Sequence, residues 1–202
     1  MPWDISSAAF FIVGAMISPA GALLIRGVGV NTTRTGIIDV LRKMGGAVEA
    51  QNERVASGEP VADLLVKTSR LKGAEVSGAE LLPAIDEFPI ICVAAAFAEG
   101  TTRITGAKEL RVKESDRIAA MSEALSRVGV RNAELPDGIV IEGVGSSSIK
   151  GGRIESHGDH RIAMSMAMAA LRSDEGVEID GASSVDVSFP GFFDQLKKVR
   201  VS

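Results

Sequence analysis

The chain has 202 residues, is 46% hydrophobic and only 4% aromatic, and carries 22 Lys and Arg against 26 Asp and Glu for a net charge of −4. That apolar fraction excludes a disordered chain, and the acidic balance argues against a nucleic-acid partner. One cysteine excludes an internal disulfide and a cysteine-built zinc cage, and two histidines three residues apart leave little for a metal, so none is expected.

Residues 5–25 carry no charge until Arg26, which invites a membrane reading. Ser18-Pro19-Ala20-Gly21 interrupts the run, so a helix followed by a short strand is expected, with no membrane partner. Met1-Pro2-Trp3-Asp4 has no basic stretch, so no signal peptide is expected, and the lone Cys92 in an apolar run fits a reducing cytoplasm.

The elements repeat in chain order. An apolar helix over Ser7–Ile17 is followed by a strand over Ala22–Val28 that closes on Gly27. A similar helix over Pro89–Ala98 precedes a strand over Thr101–Ala107 closing on Gly106, and a third over Ile162–Leu171 precedes Val177–Ala182 closing on Gly181. Those glycines fall 79 and then 75 residues apart. After each comes an amphipathic helix: Thr35–Met44, Ser115–Val128 and Phe189–Val199, with Gly45 and Gly129 placed as C-caps of the first two. Strands follow in two copies, Ala62–Thr68 with Leu71–Val76, and Asp137–Gly143 with Ile149–Ile154. Gly73 and Gly151 align at an offset of 78. The pattern predicts one α/β domain over 1–202, with repeats at about 3–79, 80–158 and 159–202. The third copy lacks its strands, so the chain is expected to be a fragment whose missing strands once preceded Met1.

Polar residues gather at the predicted helix N-termini. Asp4, Ser6 and Ser7 open the first core helix, Asp86 and Glu87 the second, and Asp159, His160 and Arg161 the third. Helix N-termini favour anions. Capping accounts for Ser6, Ser7 and Asp86. It does not account for Lys113, Arg117 and Arg161, because cations oppose the dipole there, so these three carry the chemical information. Lys113 and Arg117 stand at i, i+4 and would share a helix face suited to phosphate or carboxylate, with Glu114 beside them as a proton donor. The alternative is a solvated, salt-bridged helix start. His160 would titrate near neutrality, or serve as an orienting or capping group. Met164, Met166 and Met168 read as core, and no phosphate-loop signature supports nucleotide binding.

Taken together, Pro83-Ala-Ile-Asp86-Glu-Phe-Pro, Ala94-Ala-Ala-Phe-Ala-Glu-Gly-Thr-Thr102, Glu109-Leu-Arg-Val-Lys-Glu-Ser-Asp-Arg117, Asp159-His-Arg-Ile-Ala-Met-Ser165 and Ser188-Phe-Pro-Gly-Phe192 resemble the 5-enolpyruvylshikimate-3-phosphate synthase family. Ser6-Ser7-Ala8 and Asn31-Thr-Thr-Arg-Thr-Gly36 add to the likeness. The resemblance implies an inside-out α/β barrel with pseudo-threefold repeats and buried helices, here the C-terminal domain of a two-domain monomeric transferase. It implies transfer of enolpyruvyl from phosphoenolpyruvate to the 5-hydroxyl of shikimate 3-phosphate, without cofactor or metal. By motif, Asp86 would contact the shikimate hydroxyls and act as base, Glu114 would protonate the methylene, and Lys113 would carry a proton or stabilise charge. Arg117 and Arg161 would clamp phosphoenolpyruvate, and His160 would support Glu114 or its loop. Two departures stand out: Val187 replaces a Lys found in some members, and Glu109 replaces an Asn. Without the N-terminal domain, the chain is expected to be inactive. The other readings are a non-catalytic anion-binding half-domain and the sister transferase acting on UDP-N-acetylglucosamine.

Overall fold

The computed structural model describes residues 3–200. In chain order these form α1 (Ile5–Ile17), β1 (Ala22–Gly29), α2 (Gly36–Lys43), β2 (Ala47–Ala56), β3 (Glu59–Lys67), β4 (Glu75–Val76) and α3 (Gly78–Leu81). Next come α4 (Phe88–Ala96), β5 (Glu99–Ile104), α5 (Arg117–Arg127), β6 (Asn132–Leu135), β7 (Gly138–Val144) and β8 (Gly152–Glu155). The last elements are α6 (His160–Ala169), β9 (Val177–Asp180), α7 (Ser184–Ser188) and α8 (Phe192–Arg200).

Three apolar helices, α1, α4 and α6, pack on one another and form the centre. Every residue of α4 is buried, as are Met164, Met166 and Met168 on α6. These helices have no polar face because they have no solvent side, which is the pattern of a fully buried helix. α1 ends where Ser18 Oγ donates to the Gly14 carbonyl and Pro19 blocks a further turn. The amphipathic α2, α5 and α8 flank this bundle, and Gly45 and Gly129 follow α2 and α5 with φ of 88° and 86°.

Three sheets wrap the helices, in the orders β1-β3-β2, β4-β5-β7-β6 and β8-β9. The first two share one plan. A strand after the core helix pairs antiparallel with the inner arm of a hairpin, β1 with β3 and β5 with β7. A segment from before that core helix joins in parallel: Trp3 bridges Val28, β4 pairs with β5, and β8 pairs with β9. The third sheet therefore has β8 on one side of β9 and no described strand on the other. Gly27, Gly106 and Gly181 all take positive φ, of 69°, 75° and 77°, which explains why the same residue recurs: Gly106 and Gly181 follow β5 and β9, whereas Gly27 lies inside β1 where its register shifts. Gly73 and Gly151 align for a different reason: a side chain at either would overlap the backbone, of Thr101 in one case and Gly176 in the other.

Two predicted elements need correction. The helix expected over Phe189–Val199 begins only at Phe192, as α8, because Pro190 has no N–H and disfavours helical geometry at Phe189 (φ −143°, ψ 75°), and Gly191 reverses the chain at φ 80°; α7 lies ahead of the expected range. The helix expected from Ser115 begins only at Arg117, because Asp116 leaves helical geometry and its carboxylate accepts from the Ala119 N–H as the N-cap. Aromatic residues, scarce overall, are concentrated. Trp3, Phe10, Phe11, Phe189, Phe192 and Phe193 form one edge-to-face cluster that closes the last helices onto α1.

Candidate functional site

The N-termini of α1, α4 and α6 come together at one end of the bundle. Arg161, in the first turn of α6, donates from Nη1 to the Asp86 carbonyl at 3.2 Å, joining the starts of α6 and α4 across 75 residues of sequence. A cavity of about 310 Å³ beside it is lined by Asp4, Ser6, Ser7, His160, Arg161 and Ser188.

The centre of the site is the Arg117 guanidinium, which is 1% exposed yet meets three carboxylates. Nε donates to Asp159 at 2.8 Å, Nη2 to Glu114 at 2.7 Å and Nη1 to Asp86 at 3.3 Å. Lys113 reaches the same Asp86 oxygen at 3.6 Å. Asp159 is fully buried and has three tasks: it accepts from Arg117, from the Ser115 hydroxyl at 3.2 Å, and from the Arg161 N–H at 2.9 Å as the N-cap of α6. A charge this buried is tolerable only when paired and hydrogen-bonded, and the Arg117–Asp159 pair satisfies that condition.

Asp86 and Glu114 are about half exposed and Lys113 is 33% exposed, so the outer rim of the cluster faces solvent. Burial alone would raise the Asp86 carboxyl pKa, but Arg161, Lys113 and Arg117 outweigh it and hold that pKa below the ordinary range. Burial lowers the His160 pKa, against the pull of Asp159 and Glu114, which keeps the ring neutral near pH 7.

The six predicted site residues, Asp86, Lys113, Glu114, Arg117, His160 and Arg161, are thus brought to one end of the bundle, but two local expectations fail. Lys113 and Arg117 do not share a helix face. Lys113 is extended (φ −83°, ψ −153°) at the end of a short turn over Lys108–Val112, and the two cations converge on Asp86 from different directions. Nor do Ser6, Ser7 and Asp86 act as caps. Ser6 and Ser7 lie inside α1, and the Asp86 side chain turns to the cations, whose attraction exceeds that of a backbone N–H. Val187 is 87% exposed and Glu109 is exposed, so neither joins the cluster.

Two carboxylates of the site went unassigned in the sequence. The sequence places Asp159 only among the polar residues that open the third core helix, and its pairing with Arg117 spans 42 residues. Glu87, directly before α4, is 5% exposed and lies 3.5 Å from Arg161 Nη1. A glutamate at the start of an unbroken apolar run was the available signal. Among the described residues, no group of three His, Cys, Asp or Glu is placed to hold a metal ion, and no helix is long and apolar enough to cross a membrane.

Comparison with known proteins gives one consistent result. The model of the family described as EPSP synthase (3-phosphoshikimate 1-carboxyvinyltransferase) matches residues 1–196. A 3-phosphoshikimate 1-carboxyvinyltransferase of Geobacter metallireducens is 57% identical over 199 residues, 98% of this chain and 46% of that protein. One from Alkalilimnicola ehrlichii is 55% identical, over 95% of this chain and 43% of its own length. The chain spans about half the length of the curated relatives it matches. A solved EPSP synthase from Acinetobacter baumannii superposes with a TM-score of 0.95 at 48% identity, covering 98% of this chain and 46% of that one. The enolpyruvyl transferase NikO from Streptomyces tendae, at 16% identity and TM-score 0.73 over 98% of this chain and 43% of its own, shares the fold.

Proposed function

Because this chain belongs to the EPSP synthase family, we propose that it is one domain of a two-domain transferase, supplying half of a site that moves the enolpyruvyl group of phosphoenolpyruvate to the 5-hydroxyl of shikimate 3-phosphate. The observation that carries this reading is the meeting of Asp86, Lys113 and Glu114 on one solvent-facing rim, over the buried Arg117. An anionic substrate needs cations, and carbon protonation needs a carboxyl group close by; the rim holds both.

In this reading, Lys113, Arg161 and Arg117 bind the carboxylate and phosphate of phosphoenolpyruvate. Arg117 is almost wholly covered, so its share requires exchange of the Asp86 or Glu114 contact for substrate oxygens. Glu114 gives its proton to the methylene carbon, C2 becomes electrophilic, and the 5-hydroxyl of shikimate 3-phosphate attacks it to form a tetrahedral ketal. Loss of phosphate and return of the methyl proton to Glu114 then regenerate the double bond. Asp86 takes the hydroxyl proton. Its carboxyl is a weak base while three cations surround it. Engagement of those cations by substrate anions relieves that pressure and raises its basicity. His160, uncharged, orients the loop that carries Glu114. No cofactor or metal enters this scheme, the complete enzyme is a monomer, and the buried Cys92 thiol suits the cytoplasm.

The chain alone is inactive in this reading, because the other domain supplies the remaining substrate contacts. Mixing it with a separately produced N-terminal domain should restore phosphate release from the two substrates, and no release from the mixture would overturn the assignment. A second reading, an anion-binding module without turnover, draws on the same cations. Calorimetric titration with phosphoenolpyruvate, with Arg161→Ala as control, separates it from an inert piece: equal heats exclude it.

A further inference from the structure

Glu87 has no part in the chemistry above, yet its placement is unusual. It lies where all three core helices begin: directly before α4, beside Ser6 of α1 and against Arg161 of α6. It is 5% exposed, and its Oε1 is buried without a hydrogen-bond partner while standing 3.5 Å from Arg161 Nη1. That same Nη1 donates to the Asp86 carbonyl. The Arg161 guanidinium is therefore held on its inner side by a carboxylate and a main-chain oxygen, and is 18% exposed. An unconstrained arginine samples many rotamers, and fixing it in advance removes that entropic cost from ligand binding.

We propose that Glu87 is a positioning residue that aims Arg161 at the anionic substrate. The proposal rests on the functional reading above for the identity of that substrate, but not for the Glu87–Arg161 coupling itself. The groups facing Glu87 are Ser6 and Asp4 at the start of α1, Asp86 on its own segment, and Arg161 on α6. His160 lies next to Arg161 and senses its charge. Burial raises the Glu87 carboxyl pKa, with Ser6 and Arg161 pulling it back. Its charge therefore changes at a higher pH than that of an exposed glutamate, and the hold on Arg161 changes with it.

The test is the arginine side-chain 1H–15N spectrum of this chain across pH, with the Arg161 Nε–H signal assigned by its loss in Arg161→Lys. We expect that signal to shift with pH in the unsubstituted chain and to lose one titration step in Glu87→Gln, where Asp86 and His160 still titrate. The Arg117 signal, held by Asp159, should be the same in both. An Arg161 signal with identical pH dependence in both proteins, or one at the free-arginine position throughout, overturns the proposal. Calorimetry then adds the ligand. Glu87→Ala, shown by circular dichroism to be folded, should bind phosphoenolpyruvate about 10-fold more weakly, as expected for losing roughly 1.4 kcal/mol; unchanged affinity overturns the role in aiming. Absence of heat with the unsubstituted chain counts against phosphoenolpyruvate binding by this half-site alone, and the spectrum still decides whether Glu87 holds Arg161.

Discussion

The two ends of the three-helix core answer the same electrostatic problem in opposite ways. At the C-terminal end, α1 stops at Ile17, α4 at Ala96 and α6 at Ala169, leaving carbonyls without helical partners. Arg172 stands at that end beside the C-terminus of α1. It donates to the Ile17, Gly145 and Ser147 carbonyls at 3.3, 3.3 and 2.8 Å and lies 4.8 Å over the Phe97 ring. A cation suits the negative end of helix dipoles, and there it has no carboxylate partner among the described residues. The N-terminal end carries far more than its dipoles require: three cations and the carboxylates of Asp86, Glu87, Glu114 and Asp159. Only part of that charge is consumed in holding the fold. The Arg117–Asp159 pair is buried, whereas Asp86, Lys113 and Glu114 remain open to solvent. One end sets Arg172 against main-chain carbonyls; the other has functional groups left over, and that surplus distinguishes a site from a cap.

The comparison is most directly broken at Asp159. Replacing it with Ala leaves the Arg117 charge buried with its main partner gone and uncaps α6, so urea denaturation should show a loss of about 3–5 kcal/mol. A loss below about 1 kcal/mol would mean that water reaches Arg117 freely. Next is Arg172→Ala, which strands three carbonyl contacts and a ring contact, for an expected loss of roughly 2–3 kcal/mol. Phosphoenolpyruvate binding should not change; an altered affinity would show that the two ends are coupled.

Glu87→Gln tests the sign of a buried carboxyl. Its pKa is raised in the folded state, so over the interval above the ordinary glutamate range the folded chain keeps a proton that the unfolded chain has lost. Stability contributed by this group therefore falls as pH rises through that interval. Thermal melts should show the Gln variant gaining on the parent as pH rises above the ordinary glutamate range, and parallel melting curves would refute this. The smallest stability effect belongs to Glu114→Gln, within about 0.5 kcal/mol because the side chain is half exposed. In the reconstituted enzyme, turnover should nevertheless fall on the order of 10²–10⁴-fold. Comparable losses of stability and activity there would erase the distinction between the held and the open parts of the cluster.

Much of the architecture was legible because it rests on short-range preferences. The spacing of Gly27, Gly106 and Gly181 followed from one backbone conformation, and the all-apolar helices announced their burial. The late start of α8 at Phe192 was missed because hydrophobic spacing runs back through Pro190 to Phe189, although the proline was in view. Motif resemblance assembled the six expected site residues, but it did not foresee that Lys113 would be extended, or that Arg117 would be buried.

By itself, then, the sequence determined the repeat order, the turn positions and which residue types gather at helix starts, since these follow from the preferences of neighbouring residues. Only the tertiary structure decided what each charge meets: Arg117 the Asp159 carboxylate across 42 residues, Arg161 the Asp86 main-chain carbonyl across 75, and Arg172 the Ile17 main-chain carbonyl across 155. Those pairings have no local signature. They arise because packing three buried helices side by side brings their ends together, and burial then leaves each charge no partner but the ones packing delivers.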